Sequence, residues 1–356
     1  MKRNLLLTGI MFLVVAQFVS ATVWRVNNRT QASAHFTNLQ AAHDDAGVLN
    51  GDTLYLEGSP TGYGNLVCTK QLMIIGAGDF LNENDSTQAF KEPSVVGNIT
   101  FNSGSELSVI EGLHFENTQV NINTSDITVR RNRFHTTSNQ SWTAFSGVVI
   151  ASACHNILIE DNWIFMHGTN TYAANRAIIS DGTDLSNLVI RNNYLHARIN
   201  SYYVSSCWAI HLPNTVLADN VIIRQNVIDG NANVKETQFF NNIMISGTFT
   251  PNGSYYNNNI GNGAQFGTQN GNQSNVAMST VFIDHTSGID RDMQLAAGSP
   301  AIGAGLFGED CGMYGGDHPY RISCMPPIPA IWEVNLNHYG NNAVPIQVTI
   351  KAKAHN

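Results

Sequence analysis

A parallel β-helix is the fold this sequence predicts, and three observations predict it. The first is a six-residue phrase that recurs through the middle of the chain. It reads Val129-Arg130-Arg131-Asn132-Arg133-Phe134, Ile159-Glu160-Asp161-Asn162-Trp163-Ile164, Ile190-Arg191-Asn192-Asn193-Tyr194-Leu195 and Ile223-Arg224-Gln225-Asn226-Val227-Ile228. Aligned on the Asn, the copies step by 30, 31 and 33 residues, a period that marks a solenoid. The second is the pattern inside each copy, where apolar and polar residues alternate about the Asn as strands require and helices do not. The third is composition: the chain is 43% hydrophobic and only 12% charged, with 43 Asn against 30 Gly. That is too apolar for disorder and suits loop-rich strands.

One such coil cannot bury its own apolar side chains, so neighbours must stack, about 4.7–4.9 Å apart. Val129, Ile159, Ile190 and Ile223 then form one inward column, and Phe134, Ile164, Leu195 and Ile228 another. Asn tolerates a left-handed backbone at a bend, and stacked Asn amides hydrogen-bond along the axis. Asn132, Asn162, Asn193 and Asn226 therefore need no catalytic role. A second strand column precedes each phrase, with Val148, Ala177 and Ala209 in line at spacings of 29 and 32. A weaker early copy, Ile110 to Phe115, carries Leu113 in the Asn slot.

This repeat resembles that of the right-handed parallel β-helix superfamily of pectate-lyase-like proteins, over most of residues 23–325. The resemblance implies a right-handed solenoid. It implies no single activity, because that superfamily holds lyases, hydrolases, epimerases and adhesins.

Taken in order, residues 1–21 read as a secretory signal peptide: Lys2 and Arg3 precede a largely apolar run from Leu5 to Val19, and Val19-Ser20-Ala21 suits cleavage. Export to the medium or the cell surface follows as an expectation. Residues 22–60 form the N-terminal cap and first coil, with a strand from Thr22 to Val26, a short helix within 36–46 capped by Thr37 or Asn38, and a strand after Gly51. A solenoid end exposes a sheet edge and apolar core, which is the reason for a cap; Asp44, Asp45 and Asp52 are read as part of it. Residues 61–325 carry the β-helix and its closing segment. Residues 80–94 are a polar loop, 136–147 and 199–208 are long excursions, and 251–275 are a loop or a degenerate coil. The stretches Asp292 to Gly305 and Gly312 to Tyr320 resemble phrases that close secreted Bacteroidetes-type β-helices. Residues 326–356 are a tail with strands near Ile331 and Ile346.

A net charge of −8 suggests no nucleic-acid partner, and no later stretch is long and apolar enough to cross a bilayer. Five cysteines leave at least one thiol unpaired; Cys311 and Cys324 are close enough in sequence to pair. No zinc-site spacing and no acidic calcium motif is present, so no cofactor is expected from the motifs, with calcium the one metal left open.

Side chains alternate along a strand, so outward columns follow from the inward ones. One is His114, Arg133, Trp163, Tyr194 and Val227. The next is Glu116, His135, Phe165, His196 and Asp229. A third, before the hinge, is Arg130, Glu160, Arg191 and Arg224. Stacked rings beside polar groups suit a sugar, with Arg133, His135, Trp163, Phe165, Tyr194, Arg224 and Asp229 as the polysaccharide-binding set. The competing reading covers the same rings with loops, as a satellite core. For lyase chemistry a base must take the proton alpha to a uronate carboxylate while a cation holds the charge. His196 and His167 are candidate bases and Arg191 the candidate cation; His211, Tyr194, Arg176 and Arg198 are further possibilities. A hydrolase needs paired carboxylates, for which Asp161 with Asp229, or Asp181 with Asp184, are candidates. The paired-aspartate signature of polygalacturonase-like hydrolases is absent. The alternative to all of these is a non-catalytic structural or adhesive surface protein.

Overall fold

The computed structural model describes residues 21–136, 144–168, 174–199, 207–216, 220–336, 340 and 345–354. The expected signal peptide, apart from residue 21, and most of the two long excursions lie outside them. The chain is a right-handed parallel β-helix with three sheets. The first sheet has ten strands, from Val23–Val26 to Tyr255–Asn257. The second has eight, from Ser94–Val96 to Ile260–Gly261, and the third eight, from Leu66–Cys68 to Phe249–Thr250. From Met73 to Thr250 each coil visits the first sheet, then the second, and crosses a corner to the third.

The inward columns stack as the repeat predicts. Val129 pairs with Ile110 and Ile159, which continues to Ile190 and Ile223, and all are fully buried. Phe134 stacks on Phe115 with ring centroids 4.4 Å apart. In the third sheet, however, Val148 lies opposite Ile178, and Ile178 opposite Ile210. The expected alignment of Val148 with Ala177 is off by one. Ala177 and Ala209 are buried as well, so polarity alone does not fix the register there.

The hinge also differs from expectation. The left-handed residue is the one before the ladder Asn: Arg131, Asp161, Asn192, Gln225, Asn241 and Asn258 have φ between 49° and 58°. The Asn itself supplies the ladder. The backbone N–H of Asn132 donates to Oδ1 of Asn162 at 3.0 Å, and the pattern repeats through Asn193, Asn226, Asn242, Asn259 and Asn272. From Asn132 to Asn242 each ladder amide Nδ2 also donates to two carbonyls, as Asn162 does to Val129 and Glu160. Residues 251–275 are thus short coils: the ladder steps from Asn226 fall to 16, 17 and 13 residues.

The cap helix Leu39–Asp44 starts at Asn38, whose Oδ1 accepts from the Ala41 N–H at 2.9 Å. Asp52 accepts from the Thr22 and Leu49 N–H groups and from the Trp24 indole, a structural role. All five cysteines are free and buried, so the Cys311–Cys324 bridge does not form; the Cys311 thiol donates to the Asn258 carbonyl and Cys324 sits 3.2 Å from the Tyr320 hydroxyl. The tail is an antiparallel pair, Ala330–Leu336 with Val348–Lys353. Among the described residues no helix is long and apolar enough to cross a membrane.

The excursion after Ile75 folds back over the start of the second sheet. There Asp79 meets Arg133 at 2.6 Å and also hydrogen-bonds His114, whose Nε2 lies 3.1 Å from Glu116. Burial opposes the His114 charge, but the charge and hydrogen bond of Asp79, then the hydrogen bond of Glu116, raise its pKa from 6.5 to about 9. A pKa raised on folding stabilises the fold fully below pH 6.5 and progressively less as pH rises through 9. Urea unfolding of the wild type between pH 6.5 and 9 is expected to lose on the order of 3 kcal/mol, and His114→Gln to flatten that slope.

Candidate functional site

The first outward column of the second sheet runs His114, Arg133, Trp163, Tyr194, Val227 in register, but it is not open. Trp163 is 1% exposed and Tyr194 4%. Their rings stack at 4.0 Å, Phe80 meets Trp163 edge-on at 5.3 Å, and the Arg133 guanidinium lies 4.2 Å from the Phe80 centroid. Phe282, Met313 and Tyr320 of the closing segment pack in the same cluster. Trp163 and Tyr194 therefore offer no ring face to a sugar, and a packing role replaces the expected binding one. The cover is the closing segment, which the polar–apolar pattern of the coils could not locate. Trp163→Ala is expected to cost about 3–5 kcal/mol, read as a shift in the denaturant midpoint.

Arg191 is also placed elsewhere. It lies on the first sheet, where its Nη2 and Nε sit 2.6 and 2.8 Å from one Glu160 oxygen. Arg130 pairs with Glu111 at 2.7 Å, and Arg224 reaches Asp317 of the closing segment at 3.1 Å. This column is an ion-pair row that pins the closing segment, and neither Arg191 nor Arg224 joins the histidines. The carboxylate pair Asp161 and Asp229 is likewise not assembled. Asp161 sits at a left-handed hinge position 3.6 Å from Arg131, and Asp229 is engaged on the second sheet as follows.

The second outward column is the one with chemistry. Glu116, His135, Phe165, His196 and Asp229 stand in register. His135 Nδ1 is 2.9 Å from Glu116, and the Phe165 ring stacks between His135 and His196 at 5.7 and 4.2 Å. His196 Nδ1 is 2.8 Å from Asp229 Oδ2, while its Nε2 is 3.1 Å from His167 Nδ1. Asp229 is held in turn by the Arg198 guanidinium and the Ser246 hydroxyl, which also bond each other at 2.8 Å. Arg198 lies beside His167 in register. It shares a face with His196 two residues away on the same strand, the signal that selects it over Arg191.

Electrostatics fix the direction of this relay. Burial pulls the Asp229 pKa up, but the hydrogen bond and charge of His196, the charge of Arg198 and the Ser246 hydroxyl hold it at about 2. Asp229 is an anion and accepts. Burial lowers the His196 pKa against the pull of Asp229, and burial followed by the charges of His196 and Arg198 lowers that of His167. Both imidazoles are therefore neutral at pH 7. A neutral His196 must donate from Nδ1 to Asp229, which leaves its Nε2 to accept. His167 must then donate from Nδ1, which puts its lone pair on Nε2. Among the described residues nothing hydrogen-bonds that nitrogen. The arrangement is a proton acceptor backed by a second imidazole and a carboxylate.

The site sits where the coils change. The segments joining the second sheet to the third are residues 137–145, 169–175 and 200–207 in three successive coils, against 117–119 before them and Gly230 alone after. Gly230, next to Asp229, takes φ 152°, and a Cβ there would lie 2.8 Å from the Ala197 carbonyl oxygen. Strands Arg133–Thr136, Trp163–Gly168 and Tyr194–Ile199 are neighbours, and His167 and Arg198 pair near the ends of the last two. Among the described residues no group of three His, Cys, Asp or Glu is placed to hold a metal ion. No protein-family model, curated protein or solved structure matches this chain.

Proposed function

We propose that this chain is an exported β-helix protein that binds an acidic polysaccharide and cleaves it by elimination, with His167 as base. The observation that carries the reading is the Asp229–His196–His167 relay beside Arg198. The His167 Nε2 lone pair takes the proton alpha to a uronate carboxylate. The electron pair left behind forms a carbon–carbon double bond as the glycosidic oxygen departs, and that oxygen takes the proton from the imidazolium. Developing carboxylate charge is met by the Arg198 cation. Phe165, half-buried in the same column with its faces against His135 and His196, offers its ring edge, and His135 polar contacts, to the sugar. The second reading, a non-catalytic structural or adhesive rod, is favoured by the burial of Trp163 and Tyr194, which removes two rings from the face. The test is incubation of residues 22–356 with a panel of uronic-acid and neutral polysaccharides. Elimination gives new reducing ends together with ultraviolet absorbance of an unsaturated product. New ends without absorbance mean hydrolysis, and no new ends on any polymer support the rod.

A further inference from the structure

The third sheet carries a feature that the relay does not use. A depression of about 390 Å³ is lined by Ser146, Val149, Arg176, Ile179 and Asp181, among others. That volume lies within the about 300–1,000 Å³ of small-ligand pockets. Trp208 stands beside Arg176 on the next strand, and His211 beside Ile179. The Trp208 and His211 rings lie 4.8 Å apart, and His211 Nε2 is 3.2 Å from Asp181 Oδ1.

Arg176 is unlike the other coil arginines. Arg130, Arg131, Arg133, Arg191, Arg198 and Arg224 each meet a carboxylate within 4.0 Å. Among the described residues Arg176 meets none; its buried Nε has no hydrogen-bond partner, a property it shares with Arg131, Arg133 and Arg198. The buried Nδ1 of His211 is also without one. Among the described residues, then, Arg176 brings to the wall of the depression a guanidinium that no carboxylate pairs, which calls for an anionic occupant. Asp181 does not fill that role for Arg176, because its carboxylate is turned to His211 and its side chain is 68% exposed.

We infer that Arg176, Trp208 and His211 form a second binding site, for a carboxylate-bearing sugar unit, on the third sheet across the corner from His167. The guanidinium fork matches a carboxylate in a way no neutral sugar does. The half-buried Trp208 indole covers the C–H face of a pyranose ring. The exposed Asp181 carboxylate supplies an acceptor for hydroxyls. The ligand class rests on the carbohydrate reading above; the unpartnered groups and the depression do not.

The experiment is calorimetric titration of residues 22–356 with uronic-acid oligosaccharides and with their methyl esters, which keep shape and lose charge. The expected result is binding of the acids, weakened at least about tenfold by Arg176→Met and by Trp208→Ala, with the ester bound no better than the Arg176→Met variant binds the acid. Arg176→Lys, which keeps charge and loses the fork, should fall between. Unfolding midpoints within about two degrees of wild type establish that the variants are folded. Equal binding of acid and ester, or wild-type affinity in both variants, overturns the site, as does no binding of any oligosaccharide. Turnover is read on the same samples: binding without product leaves this site standing and removes the elimination reading instead.

Discussion

Replacing His167 with Gln lowers kcat for elimination by about 10²–10⁴-fold, the usual contribution of a positioned base, with little change in KM. Gln can still donate a hydrogen bond toward His196 Nε2, so the neighbourhood is kept and only the basic lone pair is lost. His196→Gln acts through His167, breaking the link to Asp229, and is expected to lower kcat less. The pH profile separates a chemical role from a packing one. Burial, then the charges of His196 and Arg198, lower the His167 pKa below 6.5. Wild-type kcat/KM should therefore be flat through neutral pH and fall on the acid side, as the base becomes protonated. Removing the base should abolish that fall in whatever activity is left. A profile unchanged by His167→Gln would mean that the proton goes elsewhere.

The largest effect on stability is expected from the ladder. Asn193 is fully buried. Its Nδ2 donates to the Ile159 and Arg191 carbonyls and to Asn226 Oδ1, and its own Oδ1 accepts from the backbone N–H and Nδ2 of Asn162. Asn193→Ala strands buried groups on both neighbouring coils, each costing about 1–3 kcal/mol. A total loss of at least about 4 kcal/mol is expected in equilibrium unfolding. The exposed ladder is the control. Asn187 Nδ2 donates to Asn156 at 3.0 Å in solvent, with φ 53°. Asn187→Gly keeps that backbone accessible and should cost less than about 1 kcal/mol. Equal losses at the two positions would show that burial, and not the bond pattern, is the wrong explanation for the inner ladder.

These cases also show what was legible in the chain. The period of the Asn phrase gives the coil, and alternation gives the columns, because both are local consequences of strand geometry. The column Glu116–His135–Phe165–His196–Asp229 follows from that alone. What covers a column does not follow. Trp163 and Tyr194 point outward as alternation requires, yet the closing segment from Met278 to Cys324 lies over them, and a contact between positions more than eighty residues apart has no period. Arg191 lies apart from the histidines for a related reason: it sits in a conspicuous Arg/Glu row, but the hinge turns that row onto another sheet, and Glu160 engages it. The short coils after Asn226 leave residues 251–275 open between loop and degenerate coil, because their 16- and 17-residue steps depart from the longer period, although Asn241-Asn242 and Asn258-Asn259 repeat the phrase.

The measurement that bears most directly on the central claim is a long-range proton–nitrogen correlation spectrum of the histidine side chains near pH 7, assigned with His167→Gln and His196→Gln. The account predicts that both imidazoles are neutral and carry their proton on Nδ1, leaving His167 Nε2 unprotonated. A doubly protonated His167, or one protonated on Nε2, would contradict it, because neither has a lone pair where the relay places the base.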